Sequence, residues 1–447
     1  MESAIKKFEN DANRDSKASY PAVKFGGFEW REARATGTRF SNHTVLDLAQ
    51  RSSSPLEIIF APLDVPNPQT VGDLIALYKL HSIPDAFISE RLHNVSHSFG
   101  TVEETEGYNY CWFHFVCKNV PVEEINGVKY VGNRADGLRQ ADFTWVRSAY
   151  CLKTKPGMKT SSCSEATLMV FGGEKLLWEK LDVLASSTPC QDILEDPYCL
   201  LNIVFEVLYS RIDNLAWDLA TVYSKEEEKI LRSASHPVLA AAGLDFVGLH
   251  MLSKHQIYLV EATEAVTATL ESVKEHHDRI TRASTSETPI VCETRARFRH
   301  RGTLFKSTYL RLKSLEKRTQ NMINLSFNLV TQADSTIMKA ESGSMKIIAA
   351  MTLVFLPCTA VATIFSTPFF YLHDNDKKSL GMSPYFWLIW VISIPLTLLV
   401  LYAWHRYQKL LAKHLFEDTQ PTSAHESARG IRTGGFDSSV SSGPMSV

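Results

Sequence analysis

Two long apolar segments near the C-terminus dominate the hydropathy pattern of the chain. Residues 347–371 and 385–404 carry no charge, and a short polar run, residues 373–384, separates them. About 20 apolar residues at about 1.5 Å per residue cross a hydrocarbon core about 30 Å thick. The pattern predicts a hairpin of two transmembrane helices, 345–372 and 385–407, with an external loop over 373–384. The alternative is a buried helical hairpin of a globular domain.

Residues 23–183 mix strand-like and helix-like patterns. Val71, Leu74 and Tyr78 have helical spacing, and Asn126-Gly127 is a hairpin turn signal. The mixture predicts a cytosolic domain of helices and strands, so the fold class is α+β. Runs of β-branched and aromatic residues predict strands at 56–61, 110–116, 128–131, 144–152 and 167–171.

Residues 184–344 have a helical pattern throughout. A heptad repeat predicts a coiled-coil seam along a long helix rather than packing onto a compact core. No proline occurs between residues 290 and 356, so a helix of about 70 residues and about 100 Å can continue into the first apolar segment. We predict that this helix is a stalk that joins the soluble domain to the membrane. The first seam comprises Leu252, Leu259, Val266, Val273 and Ile280, and the second comprises Leu312, Leu315, Met322 and Leu329.

The two ends and the composition narrow the class of protein. Residues 1–22 and 408–447 are too polar to bury a core, so both are predicted to be disordered, the second after a basic exit from the membrane. The first residues lack the apolar segment of a signal peptide. The net charge of −2 shows no bias toward nucleic acid, and eight cysteines without metal-ligand spacing indicate a reducing compartment.

The charges that flank the apolar segments predict the orientation. His405, Arg406 and Lys409 follow the second segment, whereas Asp374 and Asp376 in the loop are balanced by neighbouring lysines. By the positive-inside rule, this is a multi-pass membrane protein with both termini in the cytosol. Membrane lipids are therefore partners, and the plasma membrane and the vacuolar membrane both remain open.

The first apolar segment carries a stripe of aligned side chains. Steps of three and four residues place hydroxyl and apolar groups on one helix face. Such a stripe faces either a neighbouring helix, with each hydroxyl bonded to its own backbone, or water. Pro357 also frees the carbonyl of Leu353 and favours a kink. The stripe comprises Met345, Ile348, Thr352, Leu356, Thr359 and Thr363, with Ser366 next.

Residues 351–369, MTLVFLPCTAVATIFSTPF, carry a family resemblance. Phe355-Leu356-Pro357, followed by Thr359 and Ile364-Phe365, resembles the pore helix of the CorA magnesium channels, in particular the divergent CorA-like proteins of fungi. The resemblance implies a cytosolic funnel, a stalk and a homopentamer whose first spans line the pore with the stripe residues. It implies transport of a divalent metal cation, magnesium being favoured, with no bound cofactor.

The chain departs from the family pattern where the first segment ends. CorA proteins have Gly-Met-Asn there, and the aligned residues in this chain are Ser366, Thr367 and Pro368. Asn amides suit a hydrated magnesium ion, and proline offers no side-chain oxygen. A ring of Ser366 and Thr367 hydroxyls is a weaker and less selective substitute. Asp374 and Asp376 occupy the position where the family carries acidic residues that attract cations, although an ordinary solvated loop is favoured.

Other motifs point away from catalysis. A phosphate-binding glycine loop, a GxSxG elbow and a kinase signature are all missing, so we expect no enzyme activity. The leading hypothesis is a passive CorA-like channel for divalent cations; the alternative is a membrane-anchored scaffold or sensing protein that keeps the CorA-like fold. Asp334 and Glu341 are candidates for a vestibule or a cation sensor, and solvated carboxylates are the simpler interpretation. A basic cluster at residues 295–301 is expected to meet the acidic helix that carries Asp278.

Overall fold

The computed structural model divides the chain into two units, Met1–Ala333 and Asp334–Val447. It describes residues 2–12, 20–51, 54–92, 97–103, 107–133, 137–157, 163–234, 244–282, 288–364, 370–373, 379–382 and 384–417.

A seven-stranded sheet forms the centre of the described part of the first unit. Its strand order is β2-β1-β3-β9-β8-β5-β4, and a separate ribbon is formed by β6 and β7. The β3–β9 pair is parallel and the other pairs are antiparallel. The strands are β1 (Phe25–Trp30), β2 (Thr38–His43), β3 (Leu56–Ala61), β4 (Ser98–Glu103), β5 (Asn109–Asn119), β6 (Val122–Ile125), β7 (Val128–Val131), β8 (Thr144–Pro156) and β9 (Cys163–Phe171).

All five strands predicted from the sequence are present, as is the predicted hairpin turn. Asn126 and Gly127 join β6 to β7 with φ values of 53° and 75°. Positive φ at both central positions is the geometry that an Asn-Gly turn favours. The α+β class is therefore confirmed for this unit.

Helices cover both faces of the sheet. Alternate residues of a strand point to opposite faces, so neighbouring β5 residues enter different layers. Phe113 stacks on Phe205 of α7 with ring centroids 5.0 Å apart, whereas Trp112 belongs to the core of α1, α3 and α4. The helices of this unit are α1 (Glu2–Asp11), α2 (Val45–Gln50), α3 (Val71–Leu80), α4 (Asp85–Leu92), α5 (Lys175–Ser187), α6 (Cys190–Glu195), α7 (Tyr198–Ser233), α8 (Phe246–Arg282) and the first part of α9 (Pro289–Ile364).

The two predicted seams lie on α8 and α9, but the first one packs differently from the expectation. Leu252, Leu259, Val266 and Val273 are buried in the same hydrophobic core as strand residues such as Phe113. The seven-residue period correctly predicts which face of α8 is buried, because residues spaced by seven lie on the same side of a helix. The prediction that this face packs along a coiled-coil seam is wrong, since its residues are part of a compact core.

The N-terminal segment is not wholly disordered, which corrects the prediction for residues 1–22. Residues 2–11 form α1, and Ala4, Ile5 and Phe8 on one face are buried. The ring of Phe8 is fully buried and makes an edge contact with Tyr78, with centroids 5.7 Å apart. A short amphipathic helix cannot fold alone, but here it docks on an existing core.

The second unit contains the apolar end of α9, strands β10 (Phe370–His373) and β11 (Ser379–Met382), and helix α10 (Trp387–Glu417). The helix predicted over 345–372 is shorter in the structure, because α9 ends at Ile364 and Phe370–His373 pairs with β11. Aromatic residues favour strands, and a proline at 368 disfavours a helix interior. The apolar span of α10 is Trp387–Lys409, and the helix itself continues beyond the predicted span to Glu417.

Candidate functional site

Two of the described helices are long and apolar enough to cross a membrane. The apolar windows of α9 and α10 have mean hydropathies of 1.9 and 2.0. Only 11% and 6% of these windows are buried. A hairpin in the core of a globular domain would be mostly buried, so the low burial disfavours that alternative.

Within the second unit, α9 contacts α10 through small and polar side chains. Cys358 Sγ lies 3.0 Å from Ser393 Oγ. Ser393 and Val361 are 1% and 4% exposed, and Pro357 is also buried. Small residues let apolar helices approach closely in a membrane. Pro357 and Val361 therefore mark the buried face of α9, and the contact of the neighbouring Cys358 places α10 on that side.

The predicted stripe lies on the other side of α9. At about 100° per residue, its centre is about 160° around the helix from Pro357 and Val361. Met345, Ile348 and Leu356 are 65%, 63% and 68% exposed, and the three threonines of the stripe are also exposed. The α9–α10 contact thus leaves this face uncovered within the described part of the chain.

The threonine hydroxyls of the stripe donate hydrogen bonds to carbonyls of their own helix. Thr352 Oγ1 donates to Ala349 O at 2.8 Å, Thr359 Oγ1 to Phe355 O at 3.0 Å, and Thr363 Oγ1 to Thr359 O at 2.8 Å. A hydroxyl has one donor and two acceptor lone pairs. Because each hydroxyl hydrogen is already used in a bond to the helix backbone, each threonine oxygen can only accept. Such an oxygen can contact a cation directly or accept a hydrogen bond from the water shell of the cation.

The remaining predicted site residues are not placed by the structure. Ser366, Thr367 and Pro368 fall within residues 365–369, and Asp374 and Asp376 fall within 374–378; both ranges lie outside the described residues.

Within the described ranges, no group of three or more histidine, cysteine, aspartate or glutamate side chains could hold a metal ion. Asp334 and Glu341 are exposed on α9. The basic cluster at 295–301 meets acidic partners as predicted, with Arg295 Nε 2.8 Å from Asp278 Oδ1. Arg301 pairs with Glu206 of α7. These pairs join α7, α8 and α9, and they are structural contacts.

The first unit contains a buried polar network that no local sequence motif indicates. Asp64 follows β3 and is fully buried. It accepts a hydrogen bond from Arg91 Nε of α4 at 2.9 Å, and Nη2 of the same guanidinium lies 2.8 Å from Asp64 Oδ1 as an ion pair. His114 of β5 lies between carboxylates, with Nε2 3.3 Å from Asp64 and Nδ1 3.3 Å from Glu90. Ser98 donates to Glu90 at 2.6 Å. No local motif joins these residues, because their contacts span strands and a helix.

The electrostatics of this network favour the charged forms of its members. Burial opposes ionisation of His114, but the carboxylates of Asp64 and Glu90, each 3.3 Å from a ring nitrogen, outweigh burial and raise its pKa. The pKa of Asp64 and that of Glu90 are lowered, because hydrogen bonds from His114 and other donors outweigh burial. The positive charges of Arg91 and His114 compensate the negative charges of Asp64 and Glu90. Because Arg91 and Glu90 belong to α4 and His114 belongs to β5, the network stabilises the packing of α4 on the sheet.

Comparison with known proteins gives limited similarity. No family model matches the chain. Over 159 residues the chain is 33% identical to a protein of Aspergillus versicolor described as "Notoamide biosynthesis cluster protein M'". The match covers 34% of this chain and 35% of that protein, so the chain spans about a third of the length of its curated relative. The solved cytoplasmic domain of ZntB from Vibrio parahaemolyticus is similar with a TM-score of 0.39 and 10% identity, over 71% of this chain and 100% of that domain.

Proposed function

We propose that this chain is a passive CorA-like channel for divalent metal cations, with magnesium as the favoured cargo. The observation that carries the proposal is the uncovered face of α9 opposite α10, with its stripe of threonine oxygens. In a ring of identical chains, this face lines a central pore. The sequence resemblance around Phe355-Leu356-Pro357 supports the proposal and favours a homopentamer.

The proposed transport needs no energy-supplying site. Two charges that cross a membrane potential of 100 mV gain about 4.6 kcal/mol, so the potential is sufficient for cation uptake. We propose that the termini are cytosolic and that cations leave the pore toward the cytosol. Ser366 and Thr367 offer hydroxyls in place of an asparagine amide, so we expect weaker discrimination among magnesium, zinc, cobalt and nickel than Gly-Met-Asn gives.

The test is flux of magnesium, zinc, cobalt and nickel through the purified protein in liposomes, with an imposed potential and an internal dye that responds to the cation under test. We expect uptake by the natural protein and at least about a tenfold loss in Thr359→Trp, because an indole ring at the pore face blocks the path. Leu399→Trp is the matched control, since Leu399 is 65% exposed and lies on α10, outside the proposed pore face. Its flux is expected to stay within about twofold of the natural protein.

The channel proposal would be rejected if none of the four cations crossed the liposome membrane. Equal flux through Thr359→Trp and Leu399→Trp would reject the assigned pore face. Absence of flux from a correctly inserted protein would leave the membrane-anchored scaffold or sensing protein as the hypothesis.

A further inference from the structure

A row of polar side chains crosses the central sheet from β1 to β8. Glu57 of β3 is directly opposite Glu29 of β1 and Thr167 of β9. Thr167 is in turn opposite Lys153 of β8. Residues that are opposite in neighbouring strands lie on the same face, so these four side chains form one line across the sheet. The face is the one that α1, α3 and α4 cover, because Ile59, two residues after Glu57, is buried in their core.

A cavity of about 250 Å³ opens over this row. Leu80, the last residue of α3, and the following His81 line it, so the cavity lies where α3 stops covering the strands. All four residues of the row also line it, and most of the other lining residues are polar or charged. At about 30 Å³ for each water, the cavity has room for about eight water-sized groups. Its size and its lining suit a small polar molecule.

The negative charge of Glu57 is incompletely compensated. Its side chain is 19% exposed, and within the described ranges its ion pair is with Arg51, whose Nη1 lies 3.8 Å from Glu57 Oε1. This distance is too long for a hydrogen bond, and Arg51 Nη2 is also 3.5 Å from Glu29. Burial raises the pKa of Glu57 to about 7, because it outweighs the positive charge of Arg51. A positively charged hydrogen-bond donor in the cavity would supply what this carboxylate lacks.

The other end of the row is positive. Lys153 Nζ donates a hydrogen bond to the carbonyl of His81 at 3.1 Å and lies 4.1 Å from the ring centroid of Tyr108. These contacts hold the ammonium group at the cavity wall. Because β9 lies between β3 and β8, a strand spacing of about 4.8 Å puts the backbones of Glu57 and Lys153 about 10 Å apart. The two side chains extend toward one cavity from either side of Thr167, so a small molecule can reach both.

The remaining carboxylates of the lining have partners of their own. Glu165 accepts a hydrogen bond from Tyr108 Oη at 3.0 Å and pairs with Lys155 at 3.4 Å. Glu29 pairs with Arg31 at 2.8 Å. The cavity thus has a negative end at β3 and a positive end at β8. A ligand with a single charge would be attracted by one end and repelled by the other.

We infer that this cavity binds a small zwitterion of the amino-acid class, with a primary ammonium at one end and a carboxylate at the other. The ligand ammonium donates to Glu57, the ligand carboxylate lies toward Lys153, and the atoms between them pass over Thr167. The cavity limits the ligand to about eight non-hydrogen atoms. The inference rests on the first unit alone, so it does not depend on the proposed transport.

The test is calorimetric titration of the full chain in detergent, at constant ionic strength, with glycine, β-alanine and γ-aminobutyrate. Ethylammonium and acetate are the comparison probes, because each carries only one of the two charges. We expect saturable binding of at least one amino acid, with one site in each chain. Its affinity is expected to exceed that of either single-charge probe by at least about tenfold, since both ends contribute a charged contact.

Two variants test the two ends separately. Glu57→Gln keeps the shape of the side chain and is expected to lose about 10- to 100-fold in affinity for the amino acid. Its Tm is expected not to fall, because the change removes a poorly compensated buried charge. Lys153→Met is expected to weaken binding of the amino acid but not of ethylammonium. Glu103→Gln is the control, since Glu103 is exposed on β4 outside the cavity lining, and its affinity is expected to change by less than about threefold.

A second measurement uses the unmutated protein. With a pKa of about 7, Glu57 is largely protonated at pH 6.5 and ionised at pH 8.5. A bound ammonium favours the ionised form, so binding releases a proton at pH 6.5 and almost none at pH 8.5. Burial and the charge of Lys153 lower the pKa of His81 to about 4, so His81 stays neutral at both pH values. The other ionisable groups of the lining are Glu29, Arg51, Tyr108, Lys153 and Glu165.

Proton release is obtained from binding heats in buffers of different ionisation enthalpy. Absence of saturable binding by all three amino acids would overturn the inference. It would also be overturned if ethylammonium or acetate bound as tightly as the best amino acid, or if Glu57→Gln kept the affinity of the natural protein. Equal proton release at pH 6.5 and pH 8.5 would reject the contact between the ligand ammonium and Glu57.

Discussion

His114 illustrates how a single side chain of this protein acquires its charge from its surroundings. Its ring lies between Asp64 and Glu90 and stacks on Phe87 with centroids 4.9 Å apart. Burial alone would keep the ring neutral, but two carboxylates at 3.3 Å favour the protonated form. We therefore expect the stability of the first unit to depend on pH through this residue.

We predict that His114→Gln lowers stability most at acidic to neutral pH. The folded pKa of His114 is raised above its ordinary value of 6.5. Its contribution is thus fully present below the unfolded pKa and is lost as pH rises through the folded pKa. Loss of a buried charged hydrogen bond costs about 1.5–3 kcal/mol. The measurement is Tm of both proteins from pH 5.5 to the highest pH at which both remain folded.

The matched control for this prediction is His250→Gln, because His250 is exposed on α8. Its Tm difference from the natural protein is expected to stay small throughout. If the Tm deficit of His114→Gln were the same at every pH, His114 would not be charged in the folded protein.

Single residues were predictable from the sequence where periodicity applies and not elsewhere. The stripe from Met345 to Thr363 was assigned to one face of a helix, and the structure leaves that face uncovered by α10. The contact of Asp64 with His114 joins residues 50 positions apart, and the contact of Lys118 Nζ in β5 with the ring of Tyr258 depends on α8 crossing near that strand. Contacts of this kind depend on the tertiary fold, and local sequence patterns do not predict them.

At the scale of elements, α1 shows that a polar terminal segment can contribute to a core. Phe8 contacts Tyr78 of α3, and Ile5 is also buried. The docking is cooperative with the rest of the unit, because a ten-residue helix is marginal alone. The average polarity of residues 1–22 predicts disorder and does not reveal the apolar face of α1. Three apolar positions at helical spacing are sufficient for this face to pack on an existing core.

We predict that Phe8→Ala lowers the free energy of unfolding by about 3–5 kcal/mol, the cost of emptying a fully packed aromatic site. Glu9→Ala is the control, because Glu9 is exposed on the same helix. Chemical denaturation of the full chain, followed by tryptophan fluorescence, measures both. A change below about 1 kcal/mol for Phe8→Ala would show that α1 is not docked in solution.

The contact between α9 and α10 leads to a prediction about the second unit. Because Cys358 Sγ and Ser393 Oγ lie 3.0 Å apart, Ser393→Cys is expected to form a disulfide with Cys358 on mild oxidation. Mass spectrometry of proteolytic peptides detects the linked pair. Leu399→Cys, at an exposed position of α10, is the control and should remain unlinked to Cys358. Failure of Ser393→Cys to cross-link would mean that the two apolar helices do not pack as a hairpin.

At the scale of the whole molecule, the two units bury their apolar residues very differently. The first encloses a continuous core on each face of its sheet, whereas most apolar residues of the second are exposed. Both helices of the second unit are long and apolar enough to cross a membrane, and exposed apolar surface of this extent is typical of a membrane or protein contact. Length and hydropathy indicate the two exposed apolar helices. Length and hydropathy do not predict the number of chains in an oligomer, because an apolar helix has the same composition in a dimer and in a pentamer.

The oligomeric state distinguishes the two interpretations of the stripe. If the stripe packs against one partner helix, a dimer covers it, and the backbone-bonded hydroxyls at Thr352, Thr359 and Thr363 are dry. If the stripe lines a pore, several copies surround it, and the free lone pairs face water. We predict a homopentamer with about five times the chain mass of 50.3 kDa by native mass spectrometry in mild detergent. A monomer or dimer that persists across detergents and protein concentrations would leave no central path for cations, and the scaffold hypothesis would then replace the channel.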